Sequence, residues 1–472
     1  MQDVNQLISR ILQSTQPAKT LELINQVKLD ELTEVNQCIQ VAQVALEVSA
    51  INKTVELSAK ALSLEPENQA LYTNLVTTHM FKKDSSNALK VCEMFNDKFG
   101  DNPVVQSLMG NAYAAIGDFE QSEQAYKKAL DGESKLLPAI SGLAKCKKFD
   151  EKEAIELIQN FQLTLDETPH PQAKAQINYS IAKLYNDIGY FEAAWNQASQ
   201  ANELINQFDE QAQINFSGNL DTIMKSYSSQ VETSDSGATP LLIVGMPRSG
   251  TTLLENIISN NQSFYAGGEA PSLVYAVAMA GGDQNNSNKL KRSELNVAAD
   301  FYQNYYQEFS SKPESQNIIN KLPINFMNLG LFKQIFPKGK VIYVKRDYRD
   351  VIASSFMENF ASAENYTTSI ENILFMVKQS ERIMNYWKTS LDSILEINYA
   401  DLVTNNEESK KRLADFLNVE AATFERNDNS QNNIETPSLW QARQPIFTSS
   451  LGRYKNYEAL KELPEQIELA ND

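Results

Sequence analysis

Residues 241 to 258, LLIVGMPRSGTTLLENII, set an apolar run ahead of Gly245 and Gly250 and follow it with a helical pattern. This is the layout of a phosphate-binding loop, in which backbone N–H groups and the positive end of a helix dipole cradle an anion. The lysine that a triphosphate loop carries after its second glycine is missing, and Thr251 stands in its place. Pro247, Arg248, Ser249, Gly250, Thr251 and Thr252 are therefore expected to hold one compact oxyanion. Arg248 offers a planar fork of donors, and the three hydroxyls add more. A triphosphate with Mg²⁺ would also want an acidic metal ligand after a strand, whereas the strand-like VIYV is followed by Lys345 and Arg346 before any acid.

A second cationic feature lies downstream. Residues 333 to 349, KQIFPKGKVIYVKRDYR, hold six bases against one acid in a chain of formal charge -18. This is a local positive field in an acidic molecule. Arg346 at the strand end and Ser354 on the first turns of the next helix are expected to converge on a second phosphate, with Asp347 and Asp350 capping that helix. Lys333, Lys338 and Lys340 read as a solvated face. Two separated anion sites suit a nucleotide with phosphates at both ends of its ribose.

The elements that must position these residues are legible in the surrounding pattern. After Pro240, short apolar runs alternate with amphipathic stretches: PLLIVG, NIINKLP (317 to 323), KVIYVKRD (340 to 347) and ILEINY (394 to 399). That alternation predicts an α/β domain with a central parallel sheet and with ligand sites beyond the carboxyl ends of the strands. The first half reads differently. LMGNAYAAIGDFEQSEQAYKKAL (108 to 130) places Gly110, Tyr113, Gly117, Tyr126 and Ala129 at the offsets of a tetratricopeptide repeat (TPR), a 34-residue helix–turn–helix unit. Ala182, Tyr185, Gly189 and Ala194 repeat the pattern 72 residues later, two periods plus a four-residue insertion. About four to five stacked pairs are expected to form an all-α TPR solenoid over residues 1–225. SYSSQVETSDSGATP, residues 226–240, reads as a linker, and 241–472 as the α/β domain.

Composition narrows the classes. A chain of 472 residues exceeds what one core usually supports, and 42% hydrophobic with 22% charged residues is ordinary for a globular protein. The net negative charge argues against nucleic acid or an anionic membrane as partner. Cys38, Cys92 and Cys146 have no Cys or His at metal-ligand spacing and read as core filler. No stretch approaches the ~20 apolar residues of a membrane span, and the N-terminus lacks a signal-peptide pattern, so a cytoplasmic setting is the expectation.

Taken together, the motifs resemble the sulfotransferases that use 3'-phosphoadenylyl sulfate (PAPS), and in particular the bacterial TPR-containing sulfotransferases related to tyrosylprotein sulfotransferases. GMPRSGTTLLENII is similar to the loop that holds the 5'-phosphosulfate, and VKRDYRDVIASSF to the 3'-phosphate segment, which implies that role for Arg346 and Ser354. NKLPINFMNLGLF (320 to 332), INYADLV (397 to 403) and QARQPIFTSSLGRYKNY (441 to 457) resemble three further segments of the family, in order. The resemblance implies PAPS as cofactor, 3',5'-ADP as product and no metal. Sulfuryl transfer to a hydroxyl needs an in-line acceptor, removal of its proton and stabilisation of charge on the leaving phosphate. His79 and His170 both precede residue 226, so a carboxylate must serve as base. Glu269, in SFYAGGEAPSL, resembles the family's Gly-Gly-Glu and is the expected base, with a helix-capping role as the alternative. Lys321 is the implied electrophile, Arg248 its assistant, Tyr399 a nucleotide contact, and Ser450 and Arg453 a cover over the 3' side.

Three positions depart from the family: Asn320 where an acid often precedes the lysine, Tyr386 where His is frequent, and Tyr454 where Trp is usual. Residues 281 to 296 and 357 to 369 are the expected lid and acceptor contacts. The repeats are expected to recruit the acceptor or a partner, with a homodimer through them left open. The competing reading is a TPR scaffold whose C-terminal domain binds nucleotide without catalysis. A nucleotide kinase would require ATP and Mg²⁺.

Overall fold

A computed structural model of the chain describes residues 4–227, 231–282, 290–309, 317–360, 362–404, 407–424, 440 and 448–465. The N-terminal part is a stack of antiparallel helix pairs. The first helices of five successive pairs, Val35–Glu47, Gln69–Phe81, Pro103–Ile116, Leu137–Lys145 and Pro171–Asp187, begin at residues 35, 69, 103, 137 and 171, each 34 after the last. The expected four-residue insertion therefore does not interrupt the period. It is absorbed within the last pair, whose first helix has 17 residues against 14 in Pro103–Ile116.

Local chemistry sets these boundaries. Asn102 caps its helix by accepting from the N–H groups of Val104 and Val105, Pro103 fits the first turn, and Gly117 ends the helix in the left-handed conformation at φ +92. Stacking is equally specific. The Tyr126 ring fills the gap between neighbouring pairs so closely that a Cβ on Gly110 would lie 2.5 Å from it, and one on Gly142 only 2.3 Å. Cys38, Cys92 and Cys146 are buried thiols in this core. Among the described residues no helix is long and apolar enough to cross a membrane.

The helix Glu210–Ser226 closes the array and packs on the long helix Ile370–Ser390. Leu220 and Ile223 enter the core of the α/β domain, and Arg382 pairs with Asp221 at 2.6 Å. Residues 231–240 have no regular secondary structure, yet Ser234 is buried and donates its hydroxyl to the Ile335 carbonyl at 2.5 Å. Residues 228–230 of the expected linker lie outside the described residues.

Five parallel strands, β1 (Leu241–Gly245), β2 (Phe264–Ala266), β3 (Asn317–Asn320), β4 (Lys340–Lys345) and β5 (Ile394–Asn398), form one sheet in the order β2-β3-β1-β4-β5. Every residue of β1 is buried, as expected of a strand covered on both faces by crossover helices. The register decides which strand ends meet. Gly245 lies opposite Val344, Lys345 opposite Asn398, Leu242 opposite Asn320 and Ala266 opposite Ile319. All five carboxyl ends thus open on the same edge of the sheet.

The two interior glycines of the stack and of its closing helix should respond oppositely to alanine. Gly142→Ala forces a methyl into the buried Tyr126 ring and should cost about 1–3 kcal/mol. Gly218→Ala, in a helix with nothing within 4 Å of the new Cβ, should gain about 0.5–1 kcal/mol. Urea unfolding followed by circular dichroism checks both signs.

Candidate active site

Each strand end delivers one part of the site. After β1 the chain turns through Met246–Gly250 into the helix Thr251–Ser259. Gly250 adopts φ +103, and a Cβ there would sit 2.2 Å from the Tyr399 ring, which packs directly over the loop. Arg248 is held in the left-handed region at φ +67, a conformation that non-glycine residues keep only where surrounding structure enforces it. Its Nε donates to Ser354 Oγ at 2.8 Å.

Arg346 follows β4, beside the loop because Gly245 and Val344 are paired. It donates to the Arg248 carbonyl at 2.8 Å and to the Ser450 carbonyl at 2.6 Å, and its guanidinium lies 4.4 Å from the Tyr399 ring centroid. Tyr399, immediately after β5, shares a hydrogen bond of 2.7 Å with Ser450 Oγ. The residues expected around a 3'-phosphate and its cover, Arg346, Ser354, Tyr399 and Ser450, thus form one network with Arg248. Arg453 is part of the same surroundings, acting on both Arg248 and Arg346.

Burial pulls the Arg248 guanidinium below its usual pKa, Arg453 adding to the effect while Glu358, Tyr399 and Glu269 oppose it. Arg346 is lowered in the same way by burial, against Tyr399 and Asp350. Arg346 Nε and Ser249 Oγ are buried without a hydrogen-bond partner among the described residues. Two desolvated cations and two orphaned donors around a loop with no Cβ at Gly250 form a cradle matched to anionic oxygens.

At the other side, Lys321 follows β3 with its side chain wholly buried, and its Nζ bonds Glu269 Oε1 at 2.5 Å. Glu269 follows β2 by three residues and is 40% exposed, so an entering molecule reaches the carboxylate before the ammonium. Glu269 does not cap the helix Ser272–Met279, whose N-cap Pro271 has no side-chain partner. The backbone carrying Glu269 is fixed group by group. Gly267 N–H donates to the Ile319 carbonyl at 2.8 Å, Gly268 N–H to Glu255 Oε1 at 2.8 Å, and Lys321 N–H to the Gly268 carbonyl at 2.9 Å.

Some residues behave otherwise than expected. Asp347 caps the helix Tyr348–Phe356, but Asp350 does not: its carboxylate accepts from the N–H groups of Gly452 and Tyr454 and anchors the C-terminal segment. Lys333 and Lys340 are not a solvated face, since they donate to the backbone carbonyls of Pro337 and Gly339, and of Phe416. Lys338 is exposed. Asn320 donates to the Ala270 carbonyl and the Tyr306 hydroxyl, each at 2.7 Å, and its side-chain oxygen accepts from the Leu322 N–H at 3.2 Å, across Lys321. Tyr386 donates to the Met224 carbonyl, and the Tyr454 ring lies under Arg349. Thr251 is buried in the first turn of the loop helix, with Thr252 half-buried beside it. Residues 283–289 of the expected lid, 361 of the second loop and 441–447 of the cover lie outside the described residues.

Glu255 was missed by motif reading, although its signal was present. Thr251, Leu254, Glu255 and Ile258 are the buried face of one helix, so an acid occupies an apolar stripe. Burial raises its pKa, with Lys321 opposing. A raised carboxyl stabilises the fold most below its unfolded value of 4.5, and that contribution is lost as pH rises through the folded value. Glu255→Gln, which keeps an oxygen acceptor but cannot ionise, should therefore gain stability relative to the parent chain as pH rises from 4.5 to 7. Urea midpoints at both pH values test this, and a constant difference refutes it.

Parts of the chain are similar to known proteins. Residues 240–423 match the model of the sulfotransferase family. An uncharacterized protein of Aquifex aeolicus (strain VF5) is 25% identical over 395 residues, covering 78% of this chain and 50% of that protein. A putative protein-tyrosine sulfotransferase of Caenorhabditis briggsae is 24% identical over 38% of this chain and 65% of its own length. Protein-tyrosine sulfotransferase 1 of Danio rerio is 24% identical over 38% of this chain and 53% of its own. The chain therefore spans between about half and two thirds of the length of these relatives.

Proposed function

We propose that this chain, in which a tetratricopeptide array precedes a sulfotransferase-family domain, transfers a sulfuryl group from PAPS to an acceptor hydroxyl. The observation that carries the reading is that parallel register sets Arg248 and Arg346, beyond β1 and β4, on the same sheet edge as the Glu269–Lys321 pair, beyond β2 and β3. On this reading residues 1–225 are the repeat domain, 226–240 the connection and 241–472 the catalytic domain.

PAPS, when bound, supplies the sulfuryl group and a leaving phosphate. The loop Pro247–Thr252 and Arg248 hold the 5' side through backbone N–H groups, hydroxyls and one guanidinium. Arg346 and Ser354 hold the 3' phosphate, Tyr399 faces the nucleotide over Gly250, and Ser450 and Arg453 close the 3' side. Glu269 takes the acceptor's proton. Its partial exposure leaves it in reach of a hydroxyl arriving from solvent, while the Lys321 amine lies behind it, placed to act where negative charge develops. Protein tyrosine appears in the names of two relatives, and a phenolic hydroxyl on a protein is the acceptor we favour. The repeat array would then present that acceptor or a partner to the site.

Calorimetry separates the two ends of the nucleotide. Arg346→Ala should weaken 3',5'-ADP by roughly 10-fold to 100-fold, the worth of a charged hydrogen bond, and 5'-AMP far less. Equal loss for both nucleotides sinks the assignment. Glu269→Gln should keep 3',5'-ADP affinity and lose about 10²–10⁴ in turnover of radiolabelled PAPS with host lysate as acceptor source. Retained turnover moves the base elsewhere.

A further inference from the structure

The turn between the two helices of a repeat requires a left-handed residue. Gly117 and Gly189 supply it at φ +92 and +81. In the two earlier repeats the same turn is made by Ser49 at φ +60 and Lys83 at φ +62, one 34-residue period apart and one period before Gly117. A lysine held in that conformation is strained where glycine would be relaxed. Strain of this kind persists where surrounding contacts impose it.

Lys83 reaches into the other domain. Its Nζ donates to the Gly267 carbonyl at 3.2 Å, and a Cβ on Gly268 would lie 2.9 Å from that same Nζ. The Gly267 carbonyl and the Gly268 N–H are the two ends of a single peptide group. An ammonium from the repeat array grips one end, and the buried Glu255 carboxylate grips the other at 2.8 Å. The peptide plane is thereby fixed in orientation, one residue before Glu269. Gly268 itself is left-handed at φ +69, so the direction in which Glu269 leaves the strand depends on this plane being held. Neighbouring contacts keep the turn against the α/β domain. Phe81 lies against Phe309, and Asn52 N–H donates to Glu308 Oε2 at 2.8 Å.

We infer that Lys83 is a positioning residue of the active site, supplied by the repeat array and retained in a glycine-type turn because it orients the Gly267–Gly268 peptide and hence Glu269. The array is therefore a structural part of the catalytic loop as well as a scaffold. The consequence for turnover rests on Glu269 being the base; the anchoring of the loop does not.

Glycine at this position is a clean test, because it relaxes the turn while removing the ammonium. In the full chain, Lys83→Gly should leave the thermal midpoint unchanged or raised and speed amide hydrogen exchange of a peptide spanning 264–270 by roughly tenfold. Ser49→Gly relaxes the preceding turn in the same way and should leave that peptide unchanged. Lys83→Arg, which keeps a donor, should exchange more slowly than Lys83→Gly. Exchange equal to the parent chain in Lys83→Gly, or equal acceleration in Ser49→Gly, overturns the inference. With radiolabelled PAPS and host lysate, Lys83→Gly should lose turnover roughly tenfold while 3',5'-ADP affinity is kept, and unchanged turnover in an active parent also overturns it. A parent chain that does not bind 3',5'-ADP sinks the sulfotransferase reading instead and leaves the exchange result to decide the anchoring.

Discussion

Two guanidinium groups withdrawn from water at the ends of adjacent strands are the constraint around which the α/β domain is arranged. A buried cation is costly unless other groups satisfy it. Arg248 donates to Ser354, and Arg346 to the Arg248 and Ser450 carbonyls, which fixes both side chains and leaves further N–H groups on each guanidinium. Asp350 approaches Arg346 only to 3.9 Å and uses its oxygens on the backbone of Gly452 and Tyr454. The positive charge is thus held in place without being cancelled. That is the condition for binding a multiply charged anion through preformed donors, since little has to be rearranged when it arrives.

The same constraint explains the glycines and the aromatic cover. Tyr399 packs on Gly250 from one side and under Arg346 from the other, so one ring fixes the loop and the guanidinium together. Parallel register supplies the rest. Because Lys345 pairs with Asn398 and Gly245 with Val344, the residues just beyond β1, β4 and β5 have no choice but to be neighbours.

Much of this was legible in the chain itself. Four of the five strands, the repeat period, the loop with Arg248 and the pairing of Arg346 with Ser354 come from local patterns, namely apolar runs, glycine spacing and strand-end position, whereas Tyr399 and Ser450 are reached only through the resemblance to the family's motifs. The features that escaped depend on contacts between segments remote in sequence. Lys83 looks like one more surface lysine in FKKDSSN, and only folding brings it across 184 positions to Gly267. Asp350 has the right place for a helix cap, yet a backbone segment about a hundred residues later claims its carboxylate. Lys333 and Lys340 read as solvated because sequence does not reveal which carbonyls a turn will leave unpaired. Glu255 shows an intermediate case, where a helical wheel exposes the anomaly but not the partner.

The array meets the α/β domain at both of its ends. Early repeats hold Gly267 and Glu308, while the last pair grips a second set of residues, with Trp195 stacked 4.3 Å from Phe356 and Asn186 accepting from the Tyr457 hydroxyl at 2.6 Å. A solenoid anchored at one end can gain or lose a unit with little harm, because each repeat answers only to its neighbours. Here the stack works as a strut cut to length. Adding or deleting one 34-residue unit would separate its two footholds, so the number of repeats is set by the span of the domain it braces.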